Sequence, residues 1–526
     1  MNDRQTPPEL PQMAAIVSLT KRTGYVYPSS DIYNGLNGFF DYGPLGTTLK
    51  DNIRRFWWES MVERPPVGPD GRPLQTFGID SSVILNPQVW QASGHVDGFH
   101  DELTDCAETK KRYRADHVMC YPARLNGESE MLGYVSVMSG DDAVEQLEKR
   151  YRFLEKSLSG KKLTRADFKD GVPYIELPED EQKKVLAPDA SAIGTLGAPR
   201  EFGLMFETSV GALAGSDSKA YLRPETAQGI FINFRNVVAS SRPRVPFGIA
   251  QVGKAFRNEI TPRNFIFRSR EFEQMEMEWF CDPEESDKWF EFWVHERREW
   301  WNRLGVRSEN LIVRPHEKEE LSHYSSATSD IEYRFPFARG EFGELEGVAN
   351  RSDYDLQQHA KHAKVKMDFH DQANNRAFVP HVIEPSAGLT RALLAVLCDA
   401  YRYDESRPSK EYLALPPKLA PIKVGVFPLI AKEGQPEYAQ KLNNHLSQFF
   451  TTRIEEKQSI GKRYARMDEI GTPFCITIDA DTLTDNTVTV RDRDTGAQER
   501  ISADKVDVYV DAKINPGAAT LGGFKP

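Results

Sequence analysis

Cysteine is scarce in this sequence. Its 526 residues contain five, Cys106, Cys120, Cys281, Cys398 and Cys475, odd in number and scattered. That pattern excludes a disulfide framework and fits reduced thiols inside a cell. No C-x-x-C pair occurs, so spacing supports no zinc site. Long apolar runs are missing as well. The longest, such as "RALLAVL", are too short to cross a bilayer, so no membrane partner is expected. The opening "MNDRQTPPELPQ" lacks the basic and apolar regions of a secretory signal, and a cytoplasmic protein is expected. Excess positive charge is absent too: the formal net charge is −11. No general affinity for polyanions follows, and composition alone speaks against nucleic acid. Any such contact has to be a local patch on an acidic body. There is no internal repeat and no low-complexity tract.

What is present describes a soluble globular chain. Apolar residues make up 39% and charged residues 28%, with a mean hydropathy of −0.55. The length predicts two to four domains. Residues 1–100 open with the turn-rich "YNGLNGFFDYGPLG". In "TTLKDNIRRFWWESMV", Leu49, Ile53, Phe56, Trp57 and Met61 recur at helical spacing, with Pro44 and Gly46 placed just before the start. The strand-like "SSVILN" follows and ends at Pro87. Residues 101–200 are charge-rich and read as an insertion of unknown role, a solvated helical elaboration around "DDAVEQLEKRYRFLEKSLSGKKLT". Residues 201–415 turn to short strands joined by loops, which predicts an antiparallel sheet. The helices "WFEFWVHERREWWNRL" and "RALLAVLCDAY" accompany it. "LPPKLAPIK" reads as a linker. Over 419–526, strand "KVGVFPLI", helix "YAQKLNNHLSQFF", a basic helix around "IGKRYARMDEIG", strand "FCITI" and hairpin "TVTVRDRDTGAQERI" predict a small α/β domain.

Chemistry concentrates in "FRNEITPRNFIFRSREFEQMEMEW", which reads as two strands joined by a loop. Alternation puts Arg257 and Glu259 on one face, and Arg268, Arg270, Phe272, Gln274 and Glu276 on one face of the second strand. Met275, Met277 and Trp279 then point into a core. Such a polar floor suits a ligand of mixed charge: arginine grips phosphate, a ring stacks on a base, carboxylates hold an ammonium. From the hairpin alone, an exposed sheet face with cross-strand ion pairs fits as well. "LRPETAQG" sets Arg223 and Glu225 on one strand face. "HVIEPSAGLTRALLAVL" sets Glu384 and Ser386 on one face, ends the strand at Gly388 and places Arg391 in the first turn of a helix. A helix N-terminus favours an anion there, although an arginine early in a helix is by itself usually a solvated charge.

Together these stretches resemble a known family. "FRNE" followed by "RSREF" resembles the second signature motif of class II aminoacyl-tRNA synthetases, and "GLTRALLAVL" their third. "GPLGTTLKDNIRRFWW", with the strand ending at Pro87, resembles the first, a dimer-interface motif. "RPETAQG" narrows the resemblance to subclass IIa. "SSDIYNGLNGFFDYGPLG", "ASGHVDGF", "HYSSATSDIEYRFPF" and "IGKRYARMDEIGTPFCIT" resemble the homodimeric glycyl-tRNA synthetases. The resemblance spans nearly the whole chain. It implies an α+β fold: a class II catalytic core with an antiparallel sheet flanked by helices, an insertion, and a C-terminal α/β anticodon-binding domain. Family members can carry a cysteine-rich, zinc-ribbon-like cluster near "DCAETKKRYRADH". Here Cys106 lacks a partner and Thr109 stands where a C-x-x-C would close, so no zinc is expected.

The resemblance implies ATP-dependent activation of glycine and its transfer to the 3′ end of tRNA(Gly) by a homodimer using Mg²⁺. Arg257, Glu259 and Arg391 would be catalytic: Arg257 on the α-phosphate and the glycine carboxylate, Arg391 on the γ-phosphate, Glu259 at adenine. Phe272 would stack on adenine with Arg391 across from it. Asn258, Phe267, Arg268, Ser269, Arg270, Glu271, Glu344, Leu345, Gly388, Leu389 and Thr390 would complete the nucleotide site, Glu344 through Mg²⁺. Glycine would lie among Arg114, Glu225, Phe272, Glu273, Gln274, Met275, Glu276, Arg351, Glu384, Pro385, Ser386, Ala387 and Gly388. The glutamates would surround the ammonium and leave no room for a methyl group. Lys462, Arg463 and Arg466 form a local basic patch that suits tRNA phosphates, or a solvated helix face. Two rivals exist. A non-catalytic, synthetase-like nucleic-acid-binding accessory protein usually loses the arginines that stand here at positions 257 and 391. Another subclass IIa enzyme lacks the pairing of "EPSAG" with "FEQME".

Overall fold

A computed structural model describes residues 12–516 except 129–130, 141–142, 212–217, 323, 339–341 and 373. The N-terminal stretch read for a leader therefore lies outside the described residues, all but Gln12.

The first long helix, α1 (Pro44–Trp58), begins with Pro44 rather than after it. Proline suits the first helical position, where its missing N–H is not needed. Gly46, Leu49, Lys50, Ile53 and Trp57 form the buried stripe. Gly46 allows a close approach, because a Cβ there would lie 1.8 Å from the Tyr25 carbonyl oxygen. The helix runs on as a π-turn over Glu59–Glu63. "SSVILN" is not a strand; it makes a single bridge, Ile84 to Leu222. The strand of this region lies earlier, β1 (Thr76–Gly78).

β1 is the edge of a seven-stranded sheet. Its other members are β2 (Phe247–Phe256), β3 (Glu271–Cys281), β4 (Leu311–Pro315), β5 (Ala327–Tyr333), β6 (Gly343–Ser352) and β7 (His381–Gly388), in the order β4-β5-β6-β7-β3-β2-β1. All neighbours are antiparallel except β2 and β1. Two helices pack on the back of the sheet, α2 (Ser286–Leu304) and α3 (Leu389–Ala400). Trp289, Trp293, Trp300 and Trp301 of α2 meet Met275, Met277 and Trp279 of β3 in the main core. α3 is buried around nearly its whole circumference, as an evenly apolar helix must be.

Residues 101–200 depart from the expected helical elaboration. The helix is there, over Ala143–Ser157, but it covers a five-stranded sheet built on Val118–Leu125 and Met131–Met138. Tyr121, Val135, Val137, Leu147, Tyr151 and Leu154 give it a core of its own. Strand His100–Asp105 leads in and Arg200–Gly203, paired to it antiparallel, leads out. The C-terminal region has a five-stranded mixed sheet around Val424–Pro428 and Phe474–Ile478, flanked by helices Gln435–Leu446, Ile460–Glu469 and Val506–Ile514. The proline-rich linker is seated in the main core through Leu415, Leu419 and Ala420. No described helix is long and apolar enough to cross a membrane.

Candidate active site

The front of the sheet carries the chemistry. On β3, alternation turns Phe272, Gln274, Glu276 and Glu278 forward and Met275, Met277 and Trp279 back. Residues 257–270 are loop rather than strand. Even so, they close a cavity of about 230 Å³ lined by Arg257, Glu259, Phe267, Arg268, Phe272, Glu344 and Arg391 among others.

Arginines dominate this end. The Arg257 guanidinium lies 5.3 Å from the Phe272 ring and 5.5 Å from Phe99, anchored by a 3.1 Å hydrogen bond from Nε to the Pro224 carbonyl. Among the described residues, neither Arg257 nor Arg268 has a carboxylate within ion-pair distance. Arg391 stacks on Phe267 at 4.5 Å, not on Phe272. It donates to the Phe267 and Glu344 carbonyls and pairs with the Glu344 carboxylate at 3.2 Å. Arg391 is the chief influence holding Glu344 below the usual carboxylate range. An unpaired guanidinium over aromatic rings, with two further arginines in the same cleft, makes a receptor for a phosphorylated base.

Along the same strand faces, the lining changes from arginine to glutamate. Ser386 Oγ donates to Glu276 Oε1 at 2.8 Å, and the Thr226 hydroxyl donates to Oε2. Glu384 receives Arg351 Nη1 at 2.7 Å. The rest of the Arg351 fork is taken by Asp355 at 2.7 and 2.9 Å. Glu225 faces His95 Nε2 at 3.4 Å and accepts from the Gln228 amide at 3.1 Å. Burial raises the carboxyls of Glu276 and Glu384, and neighbouring negative charge adds to it. For Glu225 burial also raises, but His95, Arg351 and Gln228 outweigh it and hold that carboxyl well below the ordinary range. A carboxylate kept charged beside carboxyls that resist charging is a seat for a small ammonium.

The model described as the tRNA synthetase class II core domain (G, H, P, S and T) matches residues 213–400, and the anticodon binding domain model matches 423–513. The glycine–tRNA ligase of Rhodopirellula baltica is 47% identical, over 95% of this chain and 99% of its own. Those of Bifidobacterium longum and Thermobifida fusca are 46% and 45% identical, each over 95% of this chain and over 92% and 98% of theirs. The chain belongs to the glycine–tRNA ligase family.

Within this ligase-family cleft, several residues stand elsewhere than the sequence suggested. Arg270 is not on the floor. Its guanidinium donates to the Glu259 carbonyl at 2.8 and 3.0 Å and to the Asn37 carbonyl at 2.8 Å, clamping the loop. Glu271 and Glu273 share the back-facing parity of β3. Glu271 pairs with Lys254 at 2.5 Å, and Glu273 with Lys50 and with Arg54 at 2.5 Å. Met275, Leu345, Ala387 and Leu389 are core, and Pro385 has the parity of Ala387. The Ser269 hydroxyl donates to the Glu271 carbonyl, and the Asn258 backbone N–H to the Leu204 carbonyl. Ser386, Gly388 and Thr390 do line the cavity. Arg114 is held by Asp101 at 3.2 Å and Asp116 at 2.7 Å, and the site residue that acts on it is Glu259, at the nucleotide end. Arg223 is not on a strand with Glu225. It lies buried over Gly253, where a Cβ would come within 2.1 Å of its Nη2, and it donates to the Lys254 and Ser81 carbonyls.

Sequence reasoning missed three participants. His95 stands within "ASGHVDGF" and is held by Ser93 Oγ at 2.8 Å. Asp355 is four residues past Arg351. Glu278 extends the alternation of β3 by one step, and that period was the available signal.

Proposed function

We propose that this protein activates glycine with ATP and transfers it to tRNA(Gly). In the first step a glycine carboxylate oxygen attacks the α-phosphorus, the bond to the bridging oxygen breaks, and pyrophosphate leaves behind glycyl-adenylate. In the second, a terminal ribose hydroxyl of the tRNA attacks the adenylate carbonyl, gives up its proton, and AMP leaves. Both steps need alignment and stabilisation of developing charge more than a protein nucleophile. One observation carries the reading: the arginine-lined end and the glutamate-lined end share the front of β3 and β7, so phosphate and ammonium fall on one track.

In this reading Arg257 neutralises charge at the α-phosphate and the glycine carboxylate, Phe272 carries adenine, Glu259 reads it, and Arg391 holds the γ-phosphate. Arg268 adds a second cation over the phosphates. Glu225 and Glu276 accept the ammonium. Arg351, itself held by Asp355, fixes Glu384 beside the glycine Cα, where a methyl group would meet a carboxylate. Mg²⁺ arriving with ATP would rest on the half-exposed Glu344 carboxylate, with phosphate and water as its other ligands, and would screen the phosphate charge. Zinc has no part in this proposal. Residues 1–100 and 201–415 would form the catalytic domain, interrupted by the insertion. Residues 419–526 would take the anticodon arm, with two copies of the chain acting as a cytoplasmic homodimer. The basic helix contributes less than its sequence promised. Arg463 is buried and donates to the Pro428, Glu455 and Leu429 carbonyls, and Arg466 pairs with Glu455 at 2.8 Å.

ATP–pyrophosphate exchange across the twenty amino acids tests the proposal. Exchange with glycine alone is expected. Exchange with another amino acid overturns the pocket, and none with any overturns the activity.

A further inference from the structure

Glu278 lies one step deeper than the glutamates assigned to glycine. It is fully buried, and neither of its carboxyl oxygens has a hydrogen-bond partner among the described residues. A carboxyl oxygen of Glu278, one of Glu276 and one of Glu384 all lie within 4.8 Å of one another. The register that pairs Glu276 with Ser386 and Trp279 with Ile383 sets Glu278 directly across from Glu384. Like charges facing each other across a sheet repel, and a dry, unpartnered carboxylate is costlier still.

The surrounding groups relieve it only in part, through the charge of Arg351. On its own strand the neighbour is Glu276. β2 offers Ile249 opposite and the neutral Gln251. From β7 comes Glu384. Arg351, at the end of β6, is used by Asp355 and Glu384. The helix Tyr354–Ala363 brings Asp355, and His359, which is bound to Gln228. The segment before Ala227–Phe231 brings Glu225, held by His95, and Arg223, committed to carbonyls. None of these cations is free for Glu278. Burial and the charge of Glu384 push its carboxyl up, in the same sense as the geometry. With Arg351 bound to Glu384 and no cation bonded to Glu278, the second of these facing carboxyls must hold a proton.

Building on the glycine pocket proposed above, we infer that Glu278 stands as a neutral carboxylic acid whose O–H is donated to the Glu384 carboxylate, making it a positioning residue for amino-acid selection. Arg351 grips Glu384 from one side and the Glu278 proton from below. The carboxylate is thereby fixed in the orientation that faces the glycine Cα, while Glu278 itself touches no substrate. This explains why a fourth glutamate is tolerated beneath an already acidic pocket: it adds a donor and no charge.

The test compares Glu278→Gln, a neutral donor of the same shape, with Glu278→Leu, which has no donor. Glycine-dependent exchange by the unaltered chain is measured first; its absence would sink the activity itself rather than this inference. Given that exchange, Glu278→Gln is expected to keep the glycine KM and kcat within about twofold. Glu278→Leu is expected to raise the glycine KM about tenfold or more, the loss of a hydrogen bond to a charged group, with the ATP KM unchanged. The infrared spectrum of the unaltered chain should also contain the carbonyl stretch of a protonated carboxyl that Glu278→Gln removes. If the leucine variant does not fold, this spectral difference decides alone. A glutamine variant as impaired for glycine as the leucine one, or no difference in the protonated-carboxyl band, would overturn the inference.

Discussion

Two clusters of buried charge sit on opposite faces of one sheet, and they are built differently. Behind it, Arg297 of α2 is fully buried and grips Glu346 of β6 with a fork of 2.6 and 3.2 Å, while Trp301 Nε1 adds a 2.6 Å bond to the same carboxylate. The charges there balance one to one. In front, Glu225, Glu276, Glu278, Glu384 and Asp355 gather around Arg351, which is bonded to Asp355 and Glu384. The rear cluster is satisfied by the chain itself. The front cluster is satisfied only when a cation or protons arrive. A buried ion pair that closes on itself serves architecture; one left unbalanced marks where a ligand belongs.

The contrast can be broken from either side. The largest effect is expected for Glu346→Ala, which strands Arg297 in the core. Stability should fall by about 3–5 kcal/mol in urea unfolding, with the glycine KM of the remaining folded protein unchanged. Next, Glu276→Gln should raise the glycine KM about tenfold or more, since it weakens a charged contact to the ammonium, while ligand-free stability at neutral pH holds or rises. A stability loss like that of Glu346→Ala would erase the distinction between the faces. A smaller effect lies in pH. The carboxyls of Glu276 and Glu278 are raised in the folded chain, so the folded state holds protons that the unfolded chain has released. Their contribution is fully present below the ordinary carboxylate range and is lost as pH rises toward the raised values. Ligand-free stability should therefore decline above about pH 5, with a slope of at most about 1.4 kcal/mol per pH step for each proton retained. Glu276→Gln should flatten that slope in thermal unfolding scans. Smallest of all, Lys254→Ala, which opens a pair with Glu271 that is half in solvent, should change stability by no more than about 1 kcal/mol and leave the glycine KM alone.

Much of this was legible in the residues. Period-two alternation told Met275, Met277 and Trp279 from Phe272, Gln274 and Glu276, because a strand has no other way to turn side chains. Glu384, Ser386 and Arg391 were found through a strand handing over to a helix at Gly388. Alternation failed where the chain left the sheet: Arg268 and Arg270 belong to a loop, and a loop has no period. Glu273 was misplaced by the resemblance and not by alternation, whose parity turns it to the back; its partners Lys50 and Arg54 lie more than two hundred residues away in sequence. The insertion's sheet was hidden because "MLGYVSVM" carries no charge and is buried on both faces over Gly133–Val137, so it shows no polar–apolar alternation, although it pairs antiparallel with Val118–Leu125 just before it in the chain. Arg463 looked like a phosphate contact because sequence shows the charge and not the three carbonyls that enclose it.

The insertion leaves and rejoins the catalytic sheet's neighbourhood through His100–Asp105 and Arg200–Gly203, which lie side by side. A chain that departs and returns at one doorway presents the same two ends to the rest of the molecule whatever is threaded between them. The register of the main sheet therefore depends on those two paired ends and not on the length of chain between them.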